Sequence, residues 1–517
     1  VYIFQPTKII DIFSARRLRR YLRQGRPMLN NNSIDTSVFT AGMLIGGKRI
    51  MDGHRIEVRN PAHPQELVGT IVQCMPDDVN LAIAAAKAAQ PAWAAKPFTE
   101  RAEILARMLD QIDEDVDSRA ILFTRENGKP LADSANEILG IVPRARLTLE
   151  LAAELDAPQG MPASNGRTTM HYLPFGVVVA IVPWNSPITL AAAQIIPALL
   201  AGNSVVLKVP ESCPLALTLT AELMGRALPP GLLNIISGLP ADIGDTLTLH
   251  PHVDKIAFTG SVPSARKIMA NAAQTIKSIT AELGGNDAAI VLEDADLGDE
   301  TMNRMATIVY RMSGQICMAI KRIYVPDSIH DDFVAAFSRA ADRIVVGDGR
   351  AQGVTMGPLH TKQAHQRALG LVADAERRGA TVRRLGKIQD DATFAEGYFM
   401  RPTLVTEIGD DAPLVTEEQF CPAVPVARYR DVEEALVRAN SSIYGLGGSV
   451  WGKDIDKAMA LARRIQAGTV FVNTHGTRSI NHKAPYGGLK QSGVGRRSGI
   501  EGMREYVQTQ TLTTFEY

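Results

Sequence analysis

Hydrophobic residues in this chain come in blocks rather than stripes at its centre. From Tyr172 to Leu207 no residue is charged, and the run holds "GVVVAIV" (176–182), a β-branched stretch without polar alternation. Such a stretch is expected of a strand buried on both faces. "PWNSP" (183–187) reads as a turn, "ITLAAAQIIPALLA" (188–201) as a helix and "SVVLKV" (204–209) as a second buried strand. Strand, helix, strand at this spacing is a βαβ unit. The pattern repeats through a helix over 214–228, strand 232–238, a short helix, strand 255–260, a helix over 263–276 and strand 287–292. That series predicts a doubly wound α/β domain. A second α/β block is expected from helices over 331–344, 361–378 and 431–439 and strands near 398–405, 423–428 and 468–473. Upstream, "MLIGGKRIMDG" (43–53) predicts two strands about a Gly-Gly turn. Helical periodicity runs over 77–94, 99–125 and 131–155, with Gly128 and Pro130 breaking it between the last two.

The uncharged run is long enough to suggest a membrane span, which needs about 20 apolar residues. It is interrupted by Pro174, Pro183, Pro187 and Pro197 and by Asn185, Gln194 and Asn203, so it reads as buried protein structure and no membrane is expected. Lys plus Arg and Asp plus Glu both number 55, a balance that argues against a nucleic-acid partner. Residues 1–38 differ: Lys8, Arg16, Arg17, Arg19, Arg20, Arg23 and Arg26 face one acid, Asp11. This leader is read as a basic tail or as sequence upstream of a start at Met28, with an organellar targeting segment as the other reading. The four cysteines (Cys74, Cys213, Cys317, Cys421) form no CxxC pair, which fits a reducing compartment, and a cytoplasmic protein is expected. His250 and His252 stand together without carboxylates, and no metal is expected.

Candidate chemistry centres on Cys317 in "SGQICMA" (313–319). A lone cysteine is more often an inert buried thiol than a nucleophile. Two other features change that. Glu282 opens "ELGGNDAAIV" (282–291), a carboxylate and paired glycines at a strand end, and Asn185 lies in another strand-end turn. Thiol, carboxylate and side-chain amide are the parts that thiol-based oxidation of an aldehyde needs. A GxGxxG fingerprint is missing after strand 176–182, and "GVGRRSG" (493–499) is read as a loop.

From about residue 41 to 517 the chain resembles the aldehyde dehydrogenase superfamily. The resemblance rests on ordered motifs: Pro183-Trp184-Asn185, Lys208 with Glu211, Phe258 to Ser261, Glu282 to Gly285, Gly314-Gln315 with Cys317, Glu417-Glu418 with Phe420, and "PYGGLKQSG" (485–493). It implies a Rossmann-type cofactor domain, an α/β catalytic domain and a small β oligomerisation arm. The implied boundaries are 39–157 and 177–283 for NAD binding, 284–499 for catalysis, and 158–176 with 500–517 for the arm. By resemblance Cys317 attacks the aldehyde, and Asn185 with the Cys317 N–H stabilises the oxyanion. A thioester follows hydride transfer, and Glu282 activates the water that hydrolyses it. Lys208 and Glu211 are expected on the adenosine ribose, Ser261 at the pyrophosphate and Glu418 on the nicotinamide ribose with Phe420 bracing that end, while Gly260 and Leu283 are expected among the cofactor-binding residues. Trp184 is expected beside the cofactor, although Trp184 and Phe420 also suit plain packing. The carboxylate of Glu211 favours NAD over NADP. A homodimer or homotetramer is implied.

Departures from the family pattern bear on the substrate. Ala193 stands eight residues beyond Asn185, where semialdehyde members carry Arg, while Arg311, six before Cys317, matches their second Arg. Ser186 with Ala193 suggests a roomy pocket. Gln194 replaces a common Lys, Arg497 a common Glu and Ala265 a common Gly. The leading expectation is NAD-dependent oxidation of an aldehyde to an acid. A semialdehyde dehydrogenase using Arg311 and a catalytically silent protein on the same fold stay open, and CoA-dependent acyl release is disfavoured by Glu282.

Overall fold

A computed structural model describes residues 37–156, 159–161 and 166–515. The basic leader, apart from Ser37 and Val38, lies outside the described residues. Two sheets organise the rest. The first has eight strands in the order Gly493–Val494, Ser278–Glu282, Lys255–Thr259, Val177–Ile181, Ser204–Val209, Leu233–Ser237, Met43–Ile45, Lys48–Ile50. Its five central strands are parallel. The chain starts at Val177–Ile181, winds outward through two strands on one side, then returns to build the other side from Lys255–Thr259. The reversal opens a crevice at the carboxyl ends of the strands, the usual ligand position in doubly wound sheets.

The absence of alternation in these strands has a direct cause. Val178 and Ala180 pack into the core on one face of the sheet, and Val177 and Val179 into the core on the other. Each of these valines removed from water contributes roughly 1.5–3 kcal/mol. Helices Pro187–Leu200 and Leu215–Arg226 cover one face, and Pro76–Ala94 covers the other with Pro240–Leu249.

The second sheet has seven strands in the order Thr381–Arg384, Thr403–Thr406, Ala423–Tyr429, Ile320–Pro326, Asp287–Val291, Gly447–Trp451, Thr469–Val472. All neighbours are parallel except the first pair. Here the structure corrects the expected topology. Strand 287–292 belongs to this sheet and not to the first series, whose fifth strand is Ser278–Glu282. That strand lacks a hydrophobic signature because its hydroxyls serve a buried ammonium: Lys255 Nζ donates to Ser278 Oγ at 3.0 Å and to Thr280 Oγ1 at 2.8 Å. Strands Ile320–Pro326 and Gly447–Trp451 are also additions, the second containing Gly447 and Gly448, which suit turns by residue type alone.

Two long helices divide. The periodicity over 99–125 becomes Phe98–Asp110 and Val116–Asn127, separated at Asp115, which has φ 47°. That over 131–155 becomes Leu131–Leu139, Ile141–Leu149 and Ala152–Asp156. The segment read as loop 493–499 contributes Gly493–Val494 to the first sheet's edge. Arg167–Pro174 pairs antiparallel with both Gln159–Met161 and Val507–Thr514, forming an arm whose last strand is exposed over Gln508–Thr514. Among the described residues no helix is long and apolar enough to cross a membrane.

Candidate active site

The site lies where the two sheets face each other. Residues from the first sheet follow its strands, and residues from the second precede theirs. Asn185 follows Val177–Ile181, buried at 7% exposure. Its Nδ2 donates to the Gln315 carbonyl at 2.9 Å, which ties the amide to the loop that carries Cys317, and its Oδ1 accepts from Ser186 N at 3.0 Å. The turn is held from behind by residues that sequence reasoning did not single out. Lys129 Nζ donates to the Asn185 carbonyl at 2.8 Å and pairs with Glu137 at 2.7 Å. Glu137 also accepts from the N–H groups of Ile188 and Thr189, orphan donors in the first turn of the next helix. Asn127 Nδ2 donates to the Trp184 carbonyl at 2.9 Å. The only sequence signal was "ENGKP" (126–130), legible as a helix stop and nothing more.

Cys317 stands three residues before Ile320–Pro326, on a loop of unusual backbone. Met312 and Ser313 have φ 52° and 58°, and Gly314 follows at 70°. A Cβ on Gly314 would lie 2.2 Å from the Cys421 carbonyl oxygen, so only glycine fits. Lys321 Nζ pins the loop by donating to Gly314 O at 2.7 Å, and Gln315 Nε2 donates to Met312 O at 3.0 Å. The thiol is half-buried. Burial, reinforced by Glu418, Asp287 and Glu282, pushes it up to about 12 against the pull of Lys321. The resting group is therefore a neutral thiol, and forming a nucleophile from it calls for a base.

Glu282 ends its strand in the same chamber, and its Oε1 is buried without a hydrogen-bond partner. Burial pushes its carboxyl up to about 7, opposed first by Arg497 and then by Arg496. A carboxyl poised near neutrality suits a general base. Gly284 and Gly285 then allow close approach from the second sheet. A Cβ on Gly284 would meet Glu418 Oε2 at 2.2 Å, and one on Gly285 would meet the Cys317 carbonyl at 2.7 Å. Glu418 accepts from Gly285 N at 3.0 Å, and its burial raises its pKa.

Several of the residues expected at a dinucleotide follow strands of the first sheet at their carboxyl ends. Lys208 is buried and ion-pairs with Glu211, which is partly exposed. Gly260 N donates to the Glu282 carbonyl at 3.1 Å, and Ser261 caps helix Val262–Ala273 by accepting from Ser264 N. Leu283 is buried and its N–H is taken by the Ser492 carbonyl at 2.8 Å. Trp184 stacks on His360 with ring centroids 4.2 Å apart and meets Phe420 edge-on at 6.0 Å. Phe420 has φ 49° and lies under Lys321 Nζ. These contacts give both aromatic residues a packing role at the mouth of the crevice. The residues fit a dinucleotide: a switch-point crevice, a glycine turn into a capped helix N-terminus and a carboxylate after the second strand.

The sequence profile described as "Aldehyde dehydrogenase family" matches residues 50–512. The chain belongs to this family. It is 36% identical over 475 residues to the mitochondrial aldehyde dehydrogenase of Leishmania tarentolae, covering 91% of this chain and 94% of that one. It is 34% identical over 479 residues to the succinate-semialdehyde dehydrogenase [NADP(+)] of Escherichia coli strain K12, covering 92% and 98%. The NAD+ complex structure of an aldehyde dehydrogenase from Bacillus cereus matches with a TM-score of 0.86 at 32% identity, over 92% of this chain and 97% of that one. The protein is thus an aldehyde dehydrogenase, an oxidoreductase acting on aldehydes.

Within this aldehyde dehydrogenase the departures from the family pattern have defined surroundings. Arg311 is taken by Asp133, with Nη2 to Oδ1 at 2.9 Å, and Arg478 shares that carboxylate at 3.3 Å. Gln194 is fully buried beside Thr259. With its amide nitrogen donating to Ala257 O at 2.9 Å, its oxygen accepts from Arg497 at 3.0 Å. Arg497 also donates to Thr259 Oγ1.

Proposed function

We propose that the protein oxidises an aldehyde to a carboxylic acid through a covalent adduct on Cys317, with NAD as the preferred acceptor. In this reading Cys317 Sγ bonds to the carbonyl carbon as its proton leaves, by way of water, to Glu282. The oxyanion so formed accepts from the second N–H of Asn185 Nδ2 and from the Cys317 N–H, each donor contributing about 3–4 kcal/mol at the transition state. A bound nicotinamide would supply the hydride acceptor for the adduct's C–H. That leaves an acyl thioester on Cys317. Glu282, having passed the first proton to solvent, takes a proton from water as the oxygen attacks the acyl carbon; the C–S bond breaks, the departing Cys317 thiolate takes that proton back from Glu282, and the acid departs. The observation that carries the reading is the 2.9 Å bond from Asn185 to Gln315 O, because it holds the amide on the thiol's own loop.

Lys208 and Glu211 would hold the adenosine ribose, Gly260 and Ser261 the pyrophosphate, and Glu418 the nicotinamide ribose, with Leu283, Trp184 and Phe420 walling that end. Glu211 favours NAD because its carboxylate accepts from ribose hydroxyls and repels a 2′-phosphate. The exposed strand Val507–Thr514 is an open edge suited to pairing in a homodimer or homotetramer. Four free thiols suit a reducing compartment such as the cytoplasm. Purified protein should form NADH faster than NADPH with aliphatic or aromatic aldehydes, and Cys317→Ala should abolish it by more than about a thousandfold. Turnover that survives this substitution would overturn the mechanism.

A further inference from the structure

A cavity with two arginines in its lining borders helix Pro187–Leu200, and Cys317, Asn185 and Glu282 are not among its lining residues. Helix Pro187–Leu200 presents Thr189 and Ala193 to it, small side chains one turn apart, and Ile141 and Met503 add apolar surface. Arg144 and Arg497 line the same space. Arg144 donates to Thr189 Oγ1 at 3.4 Å. Arg497 is only 4% exposed, and its Nε and Nη1 have no hydrogen-bond partner. Among the described residues no carboxylate lies within ion-pair distance of either guanidinium, whereas Arg311 is occupied by Asp133. Glu282 and Tyr486 attract Arg497 from one side, and its remaining buried donors without acceptors are costly. Such an arrangement asks for an anion. Tyr486 connects the cavity to the chemistry, since it lines this space and packs on the same small apolar cluster (Met318, Leu446 and Phe471) as Cys317.

We propose that this cavity receives the anionic tail of the substrate, a carboxylate held by Arg144 and Arg497 with its methylenes along Ile141 and Met503, while the aldehyde end reaches Cys317. The inference rests on the aldehyde-oxidising reading above and names its substrate class. Arg144 and Arg497, and not Arg311, recognise the carboxylate.

The test compares kcat/KM for straight-chain aldehydes of equal length, one ending in a carboxylate and the other in a methyl group. The full-length protein should prefer the carboxylated aldehyde by about tenfold or more, and Arg144→Met should lower that ratio by about ten- to a hundredfold, mainly through KM. A ratio near one in the unaltered protein, or one that Arg144→Met leaves unchanged, overturns the proposal. If no aldehyde is oxidised at all, the activity reading fails and the cavity is judged separately. Straight-chain dicarboxylates should then raise the thermal midpoint of the unaltered protein and not of Arg144→Met. No rise in either, or an equal rise in both, overturns the anion site.

Discussion

The two edges that meet at the site are built in opposite ways. On the first sheet the relevant residues follow regular strands at their carboxyl ends: Asn185, Lys208 with Glu211, Gly260 and Glu282. Helix N-termini lie close to these turns, as at Ser261, and supply anion-attracting dipoles without backbone strain. On the second sheet Cys317, Glu418 and Phe420 precede their strands. There the shape comes from left-handed residues, Met312, Ser313 and Phe420, and from side chains that pin them, Lys321 and Asn185. Topology alone makes a crevice, whereas a precisely aimed thiol needs strain held in place by surrounding contacts.

The sharpest way to break this division is Glu282→Gln, which removes the first sheet's base and keeps the shape. It should lower kcat by about a hundred- to ten-thousandfold in steady-state NADH formation. A fall below tenfold would move the base to the second edge. Next is a matched glycine pair. Gly314→Ala forces a Cβ against the Cys421 carbonyl at a φ of 70° and should cost about a hundredfold in kcat through misplacement of Cys317. Gly260→Ala, whose Cβ would meet the Phe258 ring, should raise the KM for NAD at the pyrophosphate and change kcat by less than about threefold. Equal losses would erase the contrast between a strained and a relaxed edge.

Smaller effects sharpen the comparison. Glu211→Gln removes the charge that repels a 2′-phosphate and should raise the NADP-to-NAD ratio of kcat/KM by about tenfold. Arg497→Gln should act through Glu282. With its carboxyl near 7, activity should rise with pH through that region as the base ionises. Arg497 favours the ionised form, so its loss should move the acid limb of kcat/KM upward, lowering activity below neutrality by less than about tenfold.

Much of the first edge was legible because its signals are local. Val177–Ile181 and Ser204–Val209 stand out as uncharged β-branched runs, and the turns after them carry their motifs in a few consecutive residues. Ser278–Glu282 was hidden because its polar side chains serve Lys255 on the neighbouring strand, more than 20 residues earlier in the chain. Lys129 and Glu137 were hidden for a related reason: their partners, Asn185 and the helix after it, are some 50 residues away. Arg311 and Arg497 show the same limit in the substrate region, since their residue types alone do not reveal that Asp133 occupies one and no carboxylate pairs with the other.

The sequence by itself determined the α/β class, the family and the chemical types at the site, because residue order, hydrophobic blocks and motif spacing are properties of the chain. Tertiary structure alone decided which strands share a sheet, that the site joins the carboxyl edge of one to the amino edge of the other, and which charges are free. Burial and pairing depend on residues far apart in sequence, and those relations exist only once the two sheets face each other.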